Sequence, residues 1–266
     1  ITVSTSIGNM TRVATDAKGG QTFEEGDEIS VYAWTGAPTV APETSERVVN
    51  NAINKLTNGS WISTPQMLWK NNREKHYFIG VYPTAAISDL SAGEYTFDAN
   101  KQTESDLLVA VNPDGLSYSA DAQQTVPLTF THVMAKLAVN LTYKNQWGGI
   151  PTVEKVVVGN AAKEATINYL TKVVTPSTTA KEDFSLPEIT ENTKYVSVII
   201  PQEDVKQLTI VIGGKNFVYD NGTPFKLESG KITTVNLEVG RDEIKLGDVK
   251  ITNWEDGSTF SGEALN

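Results

Sequence analysis

Val126-Pro127-Leu128-Thr129-Phe130-Thr131-His132-Val133-Met134-Ala135-Lys136-Leu137-Ala138-Val139-Asn140-Leu141-Thr142-Tyr143 is the stretch that decides the fold. Val126, Leu128, Phe130 and His132 share one parity. Val133, Ala135, Leu137, Val139, Leu141 and Tyr143 share the other. Alternation of period two is the signature of a strand with one buried face. A strand cannot change that face without a bulge, a bend or a move to another sheet. The phase change near His132–Met134 therefore predicts a crossing between two domains, with the boundary near residue 126. The expected division is 1–125 and 126–266.

Short strands continue on both sides. Upstream, Ile29–Trp34, Tyr77–Tyr82 and Asp106–Val111 read as strands, the last closed by the turn signal Asn112-Pro113-Asp114-Gly115. Residues 45–57 place Val49, Ile53 and Leu56 at helical spacing behind Ser45, which predicts one short amphipathic helix. Downstream, strands are expected at 153–158, 166–170, 195–200, 207–213, 216–219, 231–239 and 244–252, with Gly213-Gly214 marking a hairpin. The chain of 266 residues reads as all-β, in the manner of sandwiches.

Composition narrows function. Lys and Arg number 22 against 32 Asp and Glu, a net charge of −10. An acidic surface argues against nucleic acid, which needs a basic footprint, and against anionic lipid. There is no cysteine, hence no disulfide framework, thiolate nucleophile or cysteine zinc site. His76 and His132 fit no metal-ligand spacing, and no cofactor is expected. His76, at the start of an apolar strand, reads as exposed, and His132 as a hydrogen-bonded core residue. Glu24-Glu25, Asp27-Glu28, Asp242-Glu243 and Glu255-Asp256 fall in turns or strand ends, where solvated acids are common. No catalytic residue is assigned. Trp34, Trp61, Trp69, Trp147 and Trp254 read as packing residues, or alternatively as a carbohydrate platform, for which Trp147 beside Gly148-Gly149 is the candidate exposed ring.

The N-terminus carries a different signal. Ile1, Val3 and Ile7 face one way, and Thr2, Ser4 and Ser6 the other. A polar, small-residue stretch follows, Asn9 to Gly20, with Arg12 inside it, and reads as exposed chain open to a trypsin-like protease. An ordinary surface arginine has the same appearance. A cut there separates the first strand from the rest. Three buried aliphatic side chains amount to roughly 5–9 kcal/mol before entropy is discounted.

Four ordered segments carry a resemblance. They are Thr11-Arg12-Val13-Ala14 with Phe23-Glu24-Glu25-Gly26-Asp27-Glu28-Ile29; Tyr77-Phe78-Ile79-Gly80-Val81-Tyr82-Pro83; Leu128 to Leu137; and Ile251-Thr252-Asn253-Trp254-Glu255-Asp256-Gly257. Together they resemble the fimbrillin family, the pilin-like proteins of Bacteroides-type bacteria. The resemblance implies two tandem transthyretin-like Greek-key β-sandwich domains. It implies export as a lipoprotein precursor to the outer membrane, any leader having been removed ahead of Ile1. It also implies assembly into type V pili, in which an arginine-specific protease cuts and a strand from another pilin subunit fills the groove. Carried onto this sequence, the scissile bond is Arg12–Val13 and the strand removed is 1–12. A stalk, tip or anchor role stays open, as does a donor role for 243–266 and the nature of any surface ligand. A surface glycan-binding lipoprotein that never polymerises is the alternative.

Overall fold

A computed structural model describes residues 1–8, 23–119, 124–220 and 222–254. Among the described residues there is no α-helix, only single 3-10 turns at Thr44–Glu46 and Asn145–Trp147. In chain order the strands begin with β1 (Thr2–Ile7), β2 (Glu28–Thr35), β3 (Val49–Thr57), β4 (Ser60–Thr64) and β5 (His76–Tyr82). There follow β6 (Gly93–Thr96), β7 (Leu108–Leu116), β8 (Thr125–His132), β9 (Ala135–Tyr143) and β10 (Val153–Ala162). Next come β11 (Glu164–Asn168), β12 (Val173–Pro176), β13 (Lys181–Ser185), β14 (Glu188–Thr190) and β15 (Lys194–Ile199). The last are β16 (Gln207–Ile212), β17 (Lys215–Asp220), β18 (Lys231–Val239) and β19 (Ile244–Asn253).

The chain divides into two compact units. The first comprises Ile1–Tyr95, Asp106–Val133 and Thr166–Val173. The second comprises Thr96–Ser105, Met134–Ala165 and the chain from Val174 onward. The crossing falls at Val133–Met134, where the phase changes, because β8 stays with the first unit through its ladders to β1 and β7. This differs from the expected boundary at 126. The units are also interleaved in sequence, which a single cut could not express.

The first unit holds a seven-stranded sheet of order β1-β8-β7-β5-β2-β3-β4. Only the β1–β8 pair is parallel. The inward faces of β2, β5 and β8 supply a core around Val31, Phe78, Leu128 and Phe130. Gly80 on β5 lies against the Phe130 ring; a Cβ there would meet Phe130 Cζ at 2.6 Å.

In the second unit, β13-β10-β16-β17 form one sheet and β14-β15-β9-β18-β19 another. Leu137 and Val139 of β9, Val235 and Leu237 of β18, Val156 and Val158 of β10, and Leu208 and Ile210 of β16 are buried. A small sheet of order β12-β11-β6 completes the strands.

Residues 45–57 are corrected: most of them form β3, not a helix. Asn51 sits in the left-handed region (φ 57°), and the β2–β3 register shifts between Val31 and Ala33. This irregularity brings Val49 and Leu56, an odd number of positions apart, to the core side, and with the half-buried Ile53 between them the three imitate a helical period. Asn112-Pro113-Asp114-Gly115 is corrected as well. It lies inside β7 opposite a register shift at His76–Phe78, where Asn112 Oδ1 accepts the Gly115 N–H at 2.8 Å.

Candidate functional site

β1 occupies one end of the sheet order and ladders only with β8, among the described residues. Val3 lies opposite Val126, Thr5 opposite Leu128, and Ile7 opposite Phe130. Val3 is buried, while Ile1 and Ile7 are half-buried against the core. The hydrophobic hold of β1 is therefore nearer the lower end of the range its three aliphatic residues allow. On the outer face, Thr2 Oγ1 donates to Gln124 O at 3.3 Å, and Ser6 Oγ and Thr129 Oγ1 share a hydrogen at 3.1 Å. Gly8 N donates to Phe130 O at 2.8 Å and extends the pairing past Ile7.

The fourth inward position of β1 is polar. Thr5 follows the parity of Ile1, Val3 and Ile7, and its Oγ1 accepts the indole N–H of Trp61 on β4 at 3.0 Å. This bond spans the two ends of the sheet order. The Trp61 ring packs edge-on against Phe23 at 5.3 Å, and Phe23 in turn packs edge-on against Phe130 at 5.1 Å. The groove beneath β1 is thus an aromatic corner at its Ile7 end. Met67, whose carbonyl accepts the Ile1 amino group at 2.7 Å, marks the other end.

Arg12 and Val13 lie outside the described residues. The chain is fixed on both sides of them, at Gly8 by its bond to β8 and at Phe23 by core packing. Ile1, Val3 and Ile7 come together with β8 as one strand face. Trp147 does not join them. It is half-buried, its Nε1 donates to Val239 O at 2.9 Å, and its ring is packed by Phe217 (5.8 Å) and the Arg241 guanidinium (5.5 Å). The expectation of an exposed ring is corrected, because these three contacts occupy the indole.

His76 is also corrected: it is fully buried. Its Nε2 accepts the Lys70 N–H at 3.0 Å, which leaves the proton on Nδ1, facing Glu74 O at 3.1 Å. Burial pushes its pKa below the ordinary 6.5. The unfolded chain therefore takes up a proton near pH 6.5 while the folded chain does not. Stability is full above that pH, falls below it, and levels once folded His76 protonates. The His76→Gln variant should show a shallower loss of unfolding free energy between about pH 7 and 5 than the parent in denaturant titrations. Parallel curves would remove His76 from the acid sensitivity. His132 is the core histidine expected, with Nδ1 2.7 Å from Asp106 Oδ1 and both side chains buried.

The described acid pairs make local bonds. Asp27 Oδ2 accepts the Glu24 N–H at 2.7 Å, Glu25 Oε1 accepts the Asn58 N–H at 2.8 Å, Glu28 pairs with Lys55 at 3.0 Å, and Glu243 pairs with Lys144. A cavity of about 580 Å³ in the second unit is lined by Phe97, Asp98, Lys163, Glu182 and Phe184, with Lys163 bound to Glu182 at 3.0 Å. Among the described residues no cluster of three or more His, Cys, Asp or Glu is placed to hold a metal.

The Thr5–Trp61 bond escaped the sequence reading because it joins residues 56 positions apart. The signal available was the parity of Thr5, a polar residue on the apolar face.

No curated protein sequence matches the chain. A candidate cell adhesion protein from Bacteroides uniformis superposes with a TM-score of 0.66 at 19% identity, over 88% of this chain and 93% of that one. A candidate cell adhesion protein from Bacteroides ovatus gives 0.66 at 17% identity, over 96% and 98%. The tip fimbrial protein Mfa3 from Porphyromonas gingivalis, with a C-terminal truncation, gives 0.54 at 12%, over 87% and 95%. These likenesses are of fold. The fimbrillin-like sequence profile matches residues 11–254, nearly the whole chain, and the chain belongs to the fimbrillin-like family.

Proposed function

We propose that the chain is a structural or adhesive subunit of a bacterial surface pilus, reached as a lipoprotein precursor at the outer membrane, with no catalytic step of its own. Its two units act as two tandem sandwich domains. An arginine-specific protease cuts Arg12–Val13, residues 1–12 leave, and a strand of another pilin subunit takes their place on β8. The observation that carries this reading is the state of β1. It is an edge strand with one ladder partner, it covers Leu128 and Phe130, and it leads directly into the segment that bears Arg12.

The physics favours replacement over an empty groove. Loss of β1 bares apolar core and unpairs a row of backbone groups on β8. Both costs vanish when another strand adds to the edge. Uncut, β1 covers that edge and blocks premature pairing. Family membership and the fimbrial and adhesion proteins of like fold support the same reading.

Of the other three arginines, Arg47 is buried, while Arg73 and Arg241 are exposed but each has its backbone N–H bonded. Arg47 donates to Ile87 O and Ser88 O at 2.6 Å each. The backbone N–H of Arg73 is held by Asn71 Oδ1 at 2.8 Å, and that of Arg241 by Gln146 Oε1 at 3.1 Å. Limited digestion with an arginine-specific protease should therefore give one early product, 13–266, by intact mass. The Arg12→Ala variant should stay whole over the same period and remain monomeric. Early cleavage elsewhere, or equal cleavage of the variant, would refute Arg12 as the processing site.

A further inference from the structure

We infer that Trp61 is a specificity determinant of the groove under β1, selecting a strand with a hydrogen-bond acceptor at the position of Thr5. This rests on the strand-replacement reading above.

The inward side chains of β1 run Ile1, Val3, Thr5, Ile7. A groove built only for apolar burial would take four aliphatic residues. The third is a threonine, and its hydroxyl meets the single polar atom of Trp61, a residue just 9% exposed. In an open groove, water satisfies the indole N–H. When a strand fills the groove, that water leaves, and the incoming side chain must supply the acceptor. A valine of the same shape packs equally well but leaves the N–H without its partner in a part-buried site. A buried donor without its partner is costly, whereas the matched pair gains only modestly. Trp61 therefore acts chiefly by rejecting strands that lack the acceptor.

The occupant follows from this pattern. It is a partner subunit's strand reading aliphatic-x-aliphatic-x-(Thr, Ser or Asn)-x-aliphatic, laid parallel to β8. The fourth position must be apolar because Ile7 lies opposite Phe130, beside the Phe23 ring. The chain's own last strand fits poorly. Only two registers put an acceptor beside Trp61 behind two aliphatic residues, Ile244-x-Leu246-x-Asp248 and Val249-x-Ile251-x-Asn253; the Thr252 register places Asp248 and Lys250 there instead. The first then brings Lys250, and the second Glu255, against that aromatic corner. A strand of different sequence, from a different subunit, is the better match.

The test uses the full chain cut after Arg12 and two labelled peptides. One has the sequence of residues 1–7; the other is the same peptide carrying Thr5→Val. The valine peptide should enter the wild-type groove about tenfold more weakly. The two should bind within about twofold of each other when the protein carries Trp61→Phe, which keeps an aromatic ring without the N–H. Equal binding of both peptides to the wild-type groove would overturn the selectivity while leaving strand replacement intact. Entry of neither peptide would overturn strand replacement, and the inference with it. The uncut chain gives an independent measure: Thr5→Val should speed amide exchange along β8 several-fold in the wild-type background and little in Trp61→Phe. Equal acceleration in both backgrounds would also count against the assignment.

Discussion

Phe130→Ala should destabilise the first unit by about 3–5 kcal/mol, the range for deleting a buried phenyl ring. Phe130 is fully buried on β8, packs edge-on against Phe23 and lies opposite Ile7, and its carbonyl accepts the Gly8 N–H. It thus supports both the core and the strand laid over it. Gly80 supplies a directional check. In the parent chain, a Cβ at Gly80 would stand 2.6 Å from Phe130 Cζ, so Gly80→Ala should destabilise. In the Phe130→Ala background both ring contacts go and only Leu128 Cδ1, at 3.1 Å, must give way, so the same methyl should restore part of the loss. Unfolding free energies of the four proteins from urea titration measure the cycle. Additive effects would show that Gly80 and Phe130 do not share that volume.

Trp254→Ala should cost the second unit a similar amount, about 3–5 kcal/mol. Trp254 is fully buried, its backbone N–H donates to Gly230 O at 3.1 Å, and the Lys136 ammonium sits 4.3 Å from its ring centroid. It closes β19, a strand whose own side chains are mostly exposed and which, among the described residues, pairs only with β18. At the other end of β19, Glu243 is held by Lys144 and Lys245. With little burial of its own, β19 depends on these two end anchors. Amide exchange along β19 should therefore rise more than along β9 when Trp254 is lost. Trp254→Phe should retain much of the stability, and Lys136→Met should cost about 1 kcal/mol or less, as expected for one cation–π contact. Unchanged exchange in β19 would mean that the ladder to β18 suffices without Trp254.

The parts of the fold that were legible share one property: their signal is local. The parity change between His132 and Ala135 marks the point where β8 ends and β9 enters another sheet. Gly213-Gly214 takes the positive φ values that a hairpin turn needs. β3 was misread because one irregularity at Asn51 shifts its period. β12, β13 and β14 were missed because they are short edge strands with few buried residues. The candidate site divides the same way. The aliphatic alternation of Ile1, Val3 and Ile7 is visible in seven residues. The parallel pairing of β1 to β8, more than a hundred residues away, and the bond from Thr5 to Trp61 arise from topology, which local pattern does not encode.

Native mass spectrometry with size-exclusion chromatography, on the chain cut after Arg12 and left at micromolar concentration, tests strand replacement most directly. The account predicts that fragment 1–12 is lost and that fragment 13–266 is recovered with a replacement strand, as growing oligomers or as a complex with an added acceptor-bearing peptide. A cut chain that keeps 1–12 indefinitely, stays a single particle and ignores every added strand would contradict it.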